Sequence, residues 1–296
     1  MRSDTEIALT AIGVERPSTE AQWLVEEVSG MDASQQLAHA SEGASRRAVS
    51  ALQLLVERRA SGEPLQYVLG SWSFCGIDIS VDRRVLIPRP ETEVVAQVAI
   101  AEVRRCGGRV GPTDATDAWS GNLTVYAVAD LGTGSGAIAL ALAAALPDAE
   151  IWATDVSEGA LAVARANVAG VAATRVRLGI GSWFSALPDA LRGSLLVVTS
   201  NPPYVSEAEY ETLPLEVASW EPVSALVSGP TGLEAIEVVV GEAPSWLAPE
   251  GSLVVEIGAT QASAAIALAL DAGFVEAFVI KDLVGRDRVL VARLTY

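Results

Sequence analysis

Two short stretches of this chain carry the residue types from which a ligand site is built. The first leaves the β-rich segment 125–129, passes through Asp130-Leu131-Gly132-Thr133-Gly134-Ser135-Gly136, and enters Ala137-Ile138-Ala139-Leu140. Glycines at a strand-to-helix turn let backbone approach a bound molecule and aim unpaired N–H groups at it, so a nucleotide-like ligand is expected there. The spacing is G-x-G-x-G, one residue tighter than the G-x-G-x-x-G of dinucleotide sites. A purely structural tight turn is the alternative use of the same residues. Asp155 ends the segment 151–154 and stands 19 residues beyond Gly136, where a carboxylate in a doubly wound sheet accepts from both ribose hydroxyls. Capping a helix that starts near Ser157 is the other task open to it. Trp183, in Gly181-Ser182-Trp183-Phe184, is placed either to lie against an adenine ring or to fill the core.

The second stretch is Ser200-Asn201-Pro202-Pro203-Tyr204-Val205. Two consecutive prolines fix φ and withdraw two backbone donors, which leaves carbonyl acceptors in set directions beside an asparagine amide. A rigid acceptor pocket is expected, at the C-terminal end of a strand, where open α/β sheets bind their ligands. A plain loop is the alternative.

The elements that must hold these residues follow from periodicity. Segments 124–129, 151–154, 175–178, 195–199 and 253–257 read as strands, separated by helical stretches near 136–146, 157–169, 232–247 and 260–272. That alternation specifies a parallel sheet covered by helices on both faces. Segments 275–280 and 288–294, joined at Gly285-Arg286-Asp287, read as a closing antiparallel edge pair. Before the sheet, residues 5–70 show helical spacing, as in Ala48, Leu52, Leu55 and Val56, with Ser18-Thr19-Glu20 as an expected cap. Segments 74–81 and 85–87 are expected to pair as a hairpin about Asp82-Arg83-Arg84. Pro90, followed by Glu91 and Glu93, reads as the start of a helix reaching about Arg105. Residues 106–122 read as a mobile surface loop. The resulting division is a helical domain at 1–72, a hairpin linker at 73–89 and a sheet domain at 90–296.

Composition narrows the chemistry. The 296 residues hold one histidine, His39, and a single lysine, Lys281. Multi-histidine metal sites and a Walker lysine are therefore excluded, and a single histidine disfavours a Ser-His-Asp triad. His39 lies in a polar stretch and reads as a surface residue. A net charge of −17, with arginines only in scattered pairs, makes free nucleic acid a poor partner and favours a cationic ligand or a basic protein surface. Cys75 and Cys106 read as reduced thiols. The charged N-terminus leads into no apolar run, and no segment approaches the roughly 20 residues of a bilayer span. A cytoplasmic protein away from membranes is expected.

At this point the sequence resembles the S-adenosylmethionine-dependent methyltransferases, with residues 130–136 as their cofactor motif and Asn201-Pro202-Pro203-Tyr204 as the catalytic tetrapeptide. That tetrapeptide is shared by enzymes that methylate planar amino or amide nitrogens. Glu63-Pro64-Leu65-Gln66-Tyr67, Leu86-Ile87-Pro88-Arg89-Pro90-Glu91-Thr92-Glu93, Trp183-Phe184-Ser185-Ala186-Leu187, Glu221-Pro222 and Gly285-Arg286-Asp287-Arg288 narrow the resemblance to the bacterial HemK/PrmC family. It extends over roughly residues 60–294.

The resemblance implies a Rossmann-like, seven-stranded α/β methyltransferase domain with its last strand antiparallel, behind a small N-terminal helical domain. It implies transfer of a methyl group from S-adenosyl-L-methionine to the side-chain amide of the glutamine in the Gly-Gly-Gln motif of peptide chain release factors; a monomer is a separate expectation. Gly132, Thr133, Gly134, Ser135 and Gly136 would wrap the methionine part of the cofactor, Asp155 would take the ribose and Trp183 flank the adenine, with Asp130 a further cofactor-binding residue. Asn201, which also borders the cofactor, Pro202, Pro203 and Tyr204 would hold the glutamine. The family often has an acidic residue at the position of Ser182, and this chain departs from it there. A ribosomal-protein glutamine and, less favoured by the acidic charge, an adenine N6 amine are the alternative acceptors. Glu91 and Glu93 fit either a helix start or an approach to the site.

Overall fold

The structure is a computed structural model, and it describes residues 1–39, 43–107, 126–171 and 173–294. Contacts divide the chain into two compact units, Met1–Ser71 with Pro214–Trp220, and Trp72–Leu213 with Glu221–Tyr296. The first unit holds α1 (Arg2–Ala11), α2 (Pro17–Ser29), α3 (Ala33–Ala38), α4 (Arg46–Ala60) and α5 (Leu65–Leu69). Leu9, Leu24, Val25, Leu52, Leu65 and Val68 form its core. Helix α2 starts at Pro17, before the expected Ser18 cap, because proline is preorganised for the first helical position and Arg16 offers no side-chain cap. Arg59 ties this unit together by donating to Glu20 at 2.8 Å and pairing with Glu216 at 3.5 Å.

The second unit opens with a small hairpin, β1 (Ser71–Phe74) and β2 (Ile77–Ser80). Its turn is Cys75-Gly76, not the expected Asp82-Arg83-Arg84. Both turn residues have positive φ, 49° and 76°, the conformation that matches the twist of two tightly joined strands. Asp82 does make a turn, accepting from the Arg84 amide at 3.0 Å, but residues 85–87 form no strand. Helix α6 (Pro90–Arg105) follows as expected; of the segment 106–122, all but Cys106 and Gly107 lies outside the described residues. Both cysteines are free thiols.

Then come β3 (Tyr126–Leu131), α7 (Ala137–Ala145), β4 (Ala149–Asp155), α8 (Glu158–Gly170), β5 (Val176–Ile180) and β6 (Leu195–Ser200). Short elements follow: β7 (Val205–Ser206), α9 (Glu207–Tyr210), α10 (Leu215–Trp220), α11 (Val223–Leu226) and β8 (Val227–Gly229). The chain closes with α12 (Glu234–Glu242), β9 (Leu247–Glu256), α13 (Ala262–Asp271), β10 (Glu276–Lys281) and β11 (Asp287–Arg293).

The main sheet has the order β10-β11-β9-β6-β3-β4-β5. Strands β5, β4, β3, β6 and β9 pair in parallel, and β11, the last strand, runs antiparallel between β9 and β10. The alternation of apolar strands and helices thus produces the expected sheet. One face packs Ala129, Leu131, Val198, Leu253 and Leu290 against Ile236, Val239 and Val240 of α12 and Ala265 and Ala269 of α13. On the other, α7 is buried from Ala137 through Ala143, which requires a helix apolar all round. Glu102 on α6 clasps the sheet, accepting from Arg293 at 2.6 Å, from Ser252 at 2.7 Å and from Arg105 at 2.7 Å. Among the described residues no helix is long and apolar enough to cross a membrane.

Candidate active site

The loop after β3 adopts a conformation that only glycine takes without strain. Gly132, Gly134 and Gly136 have φ of 69°, 57° and 84°. A Cβ on Gly136 would come 3.4 Å from the Ala164 methyl, so this glycine also lets α7 and α8 approach closely. The loop is held by side chains from three directions. Thr133 donates from Oγ1 to Asp130 Oδ2 at 2.6 Å, and the Ala139 amide donates to the same oxygen at 3.2 Å. The Gly134 amide donates to Asp155 Oδ2 at 2.9 Å. Asn167, on α8, donates to the Ser135 carbonyl at 2.8 Å and to the Ser80 carbonyl at 3.0 Å, which links the loop to the hairpin.

Asp130 is fully buried and is absent from the cavity wall. Burial, partly offset by the Thr133 and Ala139 donors, pushes its carboxyl up to about 7. Its Oδ1 has no hydrogen-bond partner among the described residues. Asp155 occupies the end of β4; its Oδ1 accepts from the Ser157 amide at 2.8 Å, while the cap of α8 is Ser157 itself. The aspartate therefore shapes the turn beside the glycine loop and does not cap the helix.

The aromatic pair after β5 divides. Phe184 enters the core and stacks on Trp246 with ring centroids 5.6 Å apart. Trp183 has a positive φ of 47° and turns to the cavity, where its ring lies 3.4 Å from the position of a Cβ on Gly132. Ser182 stands beside it on the cavity wall.

A cavity of about 240 Å³ joins these elements at the C-terminal ends of the strands. Its wall includes Gly132, Thr133, Gly134, Ser135, Asp155, Trp183, Asn201 and Pro203. Pro202 is buried and Tyr204 half-buried, and neither forms part of that wall. Asn201 donates from Nδ2 to Thr92 Oγ1 at 3.2 Å, and its Oδ1 accepts from no described residue. The Tyr204 hydroxyl donates to Glu256 Oε1 at 3.1 Å, and burial together with that carboxylate raises the phenol. Gln261 braces the corner, donating to the Tyr204 carbonyl at 3.0 Å and to the Gly232 carbonyl at 3.1 Å.

Thr92 entered the sequence reading only as part of the motif at 86–93, and Glu256, Asn167 and Gln261 had no role in it. Glu256 had a signal, since a carboxylate interrupts the apolar run Leu253-Val254-Val255-Glu256-Ile257. The neighbours Glu91 and Glu93 point to other tasks, accepting from Arg286 at 2.9 Å and from the Cys75 amide at 2.8 Å. Glu221 is buried and accepts from Arg89 and from the Ile87 amide, which joins the Glu221-Pro222 and Ile87-Pro88-Arg89-Pro90 motifs.

Strand order, glycine loop and ligand cavity together define a methyltransferase domain. In agreement, residues 119–216 match the family model described as methyltransferase small domain, and residues 2–70 match the PrmC N-terminal domain. The fold is also that of a methyltransferase from Pyrococcus furiosus, with a TM-score of 0.50 at 19% identity over 75% of this chain and 90% of that one. A release factor glutamine methyltransferase from Geobacter sulfurreducens is 39% identical over 95% of this chain and 91% of its own. Another from Moorella thermoacetica is 38% identical over 96% and 94%. The chain belongs to the release factor glutamine methyltransferase family.

Proposed function

We propose that this protein transfers a methyl group from S-adenosyl-L-methionine to the amide nitrogen of the glutamine in the Gly-Gly-Gln motif of peptide chain release factors, acting as a cytoplasmic monomer. The observation that carries this reading is the opening of Asn201 and Pro203 onto the same cavity as the glycine loop, Asp155 and Trp183. The residues suit the cofactor. Three positive-φ glycines leave a cradle without Cβ atoms, Asp155 offers carboxylate lone pairs for ribose hydroxyls, and Trp183 offers a ring face for adenine. Ser182, where the family often has an acidic residue, stands on the cavity wall beside Trp183. Asp130 acts one step back, by holding Thr133 and the first turn of α7. In this reading residues 1–72 form the helical domain, 73–89 the linker and 90–296 the catalytic domain.

When bound, the cofactor supplies an electrophilic methyl group on a positively charged sulfur. A carboxamide nitrogen is a poor nucleophile because its lone pair is delocalised into the carbonyl. In this reading Asn201 Oδ1 and the Pro202 carbonyl each accept one N–H of the substrate amide, and the Tyr204 ring flanks its plane. Positive charge develops on that nitrogen during transfer, so both acceptors bind the transition state better than the ground state. Fixing the nitrogen in line with the methyl carbon contributes on the order of 7–11 kcal/mol. The proton leaves to water from a strongly acidic product cation, and no histidine base is needed. Mass spectrometry of release factor peptides after incubation with enzyme and cofactor tests the reading. One added methyl on the Gly-Gly-Gln glutamine is expected; unmodified glutamine overturns it.

A further inference from the structure

A buried polar relay runs behind Asn201. Asn201 donates from Nδ2 to Thr92 Oγ1 at 3.2 Å, and Thr92 donates to Glu256 Oε2 at 2.7 Å. The Tyr204 hydroxyl donates to the other oxygen of that carboxylate at 3.1 Å. Thr92 and Glu256 are 4% and 1% exposed, and Thr92 lines the cavity beside Asn201, so the relay leads from the cavity wall into the core. Arg288 lies close by, with Nη1 3.5 Å from the Tyr204 hydroxyl; burial pushes the Glu256 carboxyl up, and the Thr92 hydroxyl, the Arg288 charge and the Tyr204 hydroxyl pull against that rise.

A hydroxyl has one proton, and both oxygens of Glu256 are already taken as acceptors, one by the Thr92 hydroxyl and the other by that of Tyr204. The proton of Thr92 is committed to Glu256 at 2.7 Å, an ordinary length for an O–H donor. The Thr92 oxygen is therefore left as an acceptor, and it can be satisfied by the NH2 end of Asn201 but not by the carbonyl end. An asparagine amide has nearly the same shape in its two flipped orientations, and only its partners choose between them. Here the choice buries Nδ2 and turns Oδ1 outward. The Pro202 carbonyl is an acceptor by covalent structure; Asn201 is one only through this relay.

We infer that Thr92 and Glu256 are positioning residues that set Asn201 as a hydrogen-bond acceptor, and so select a side chain bearing N–H groups, a carboxamide over a carboxylate. The inference rests on the glutamine reading above. Its test uses the full chain and a release factor carrying either glutamine or glutamate in Gly-Gly-Gln. Thr92→Val removes the bias and is expected to lower kcat roughly tenfold, in the range of one lost hydrogen bond. Cofactor Kd stays within about twofold of wild type, because the glycine loop keeps its own supports. Thr92→Ser keeps the hydroxyl and restores turnover. Glu256→Gln supplies a donor where the carboxylate accepted, which lets Thr92 donate to Asn201 and turns Nδ2 outward. With the demethylated cofactor bound, wild type is expected to prefer the glutamine form at least roughly tenfold, and Glu256→Gln to narrow that ratio to within about threefold. Wild-type turnover by Thr92→Val, equal loss in Thr92→Val and Thr92→Ser, or an unchanged binding ratio in Glu256→Gln would each overturn the relay. Failure of the wild-type enzyme to methylate glutamine overturns the functional reading instead.

Discussion

Asp130 offers a direct measurement of how the cofactor loop is built. Its carboxyl is fully buried, accepts from Thr133 and Ala139 through one oxygen, and leaves the other without a partner among the described residues. Burial raises it from 3.8 to about 7. A folded-state value above the unfolded one means that the native protein binds the proton more tightly, so this group stabilises the fold at low pH. The stabilisation is complete below about 3.8 and is lost as pH rises through about 7. Between pH 5.5 and 8 the loss amounts to about 2 kcal/mol, from the difference in proton binding at the two values. Asp130→Asn keeps one acceptor for Thr133 and Ala139 but has no proton to lose. Urea unfolding of both proteins without cofactor, at the two pH values, isolates the effect: wild type should lose about 2 kcal/mol more than the variant across this range. Parallel pH profiles would show that Asp130 is not a buried carboxyl of raised pKa, and the account of the loop would fall with it.

Other outcomes follow from the same geometry. Asn201→Ala should lower kcat by roughly two to three orders of magnitude, as for loss of one preorganised transition-state hydrogen bond, with a far smaller change in cofactor Kd; equal turnover on a release factor would refute its role. Asp155→Ala removes the acceptor that the Gly134 amide uses at 2.9 Å, and with it the proposed ribose contact. Calorimetry should find cofactor binding weakened roughly ten- to a hundredfold, the range for bonds to a charged group, and an unchanged Kd would count against the assignment. For Glu102, burial is outweighed by the donors Arg293, Ser252 and Arg105, which hold its carboxyl down to about 2. That depressed value stabilises the fold above the ordinary carboxylate range and is lost as pH falls toward about 2. Glu102→Gln should cost about 3 kcal/mol at neutral pH and flatten the acid limb of the stability curve, and an acid limb identical to wild type would exclude it.

The parts of this protein that sequence alone determined are those set by local physics. Strands and helices of the sheet domain were legible because buried parallel strands and their covering helices carry apolar periods that depend only on near neighbours. The glycine loop was legible because positive φ at Gly132, Gly134 and Gly136 is a property of single residues. Two consecutive prolines announced a rigid corner for the same reason. Tertiary structure decided the rest. Trp183 and Phe184 are adjacent and both aromatic, and only the packing of Phe184 on Trp246 sends one inward and the other to the cavity. The hairpin turn fell at Cys75-Gly76 because strand twist selected the residues able to hold positive φ there, over the charged segment that looked more like a turn. Asn201 bonds to a threonine 109 positions away, and that threonine to a carboxylate 164 positions further along. A hydrogen bond acts over about 3 Å of space and leaves no trace in the spacing of the chain, so the orientation of the asparagine that faces the substrate was settled only when the sheet and helix α6 closed around it.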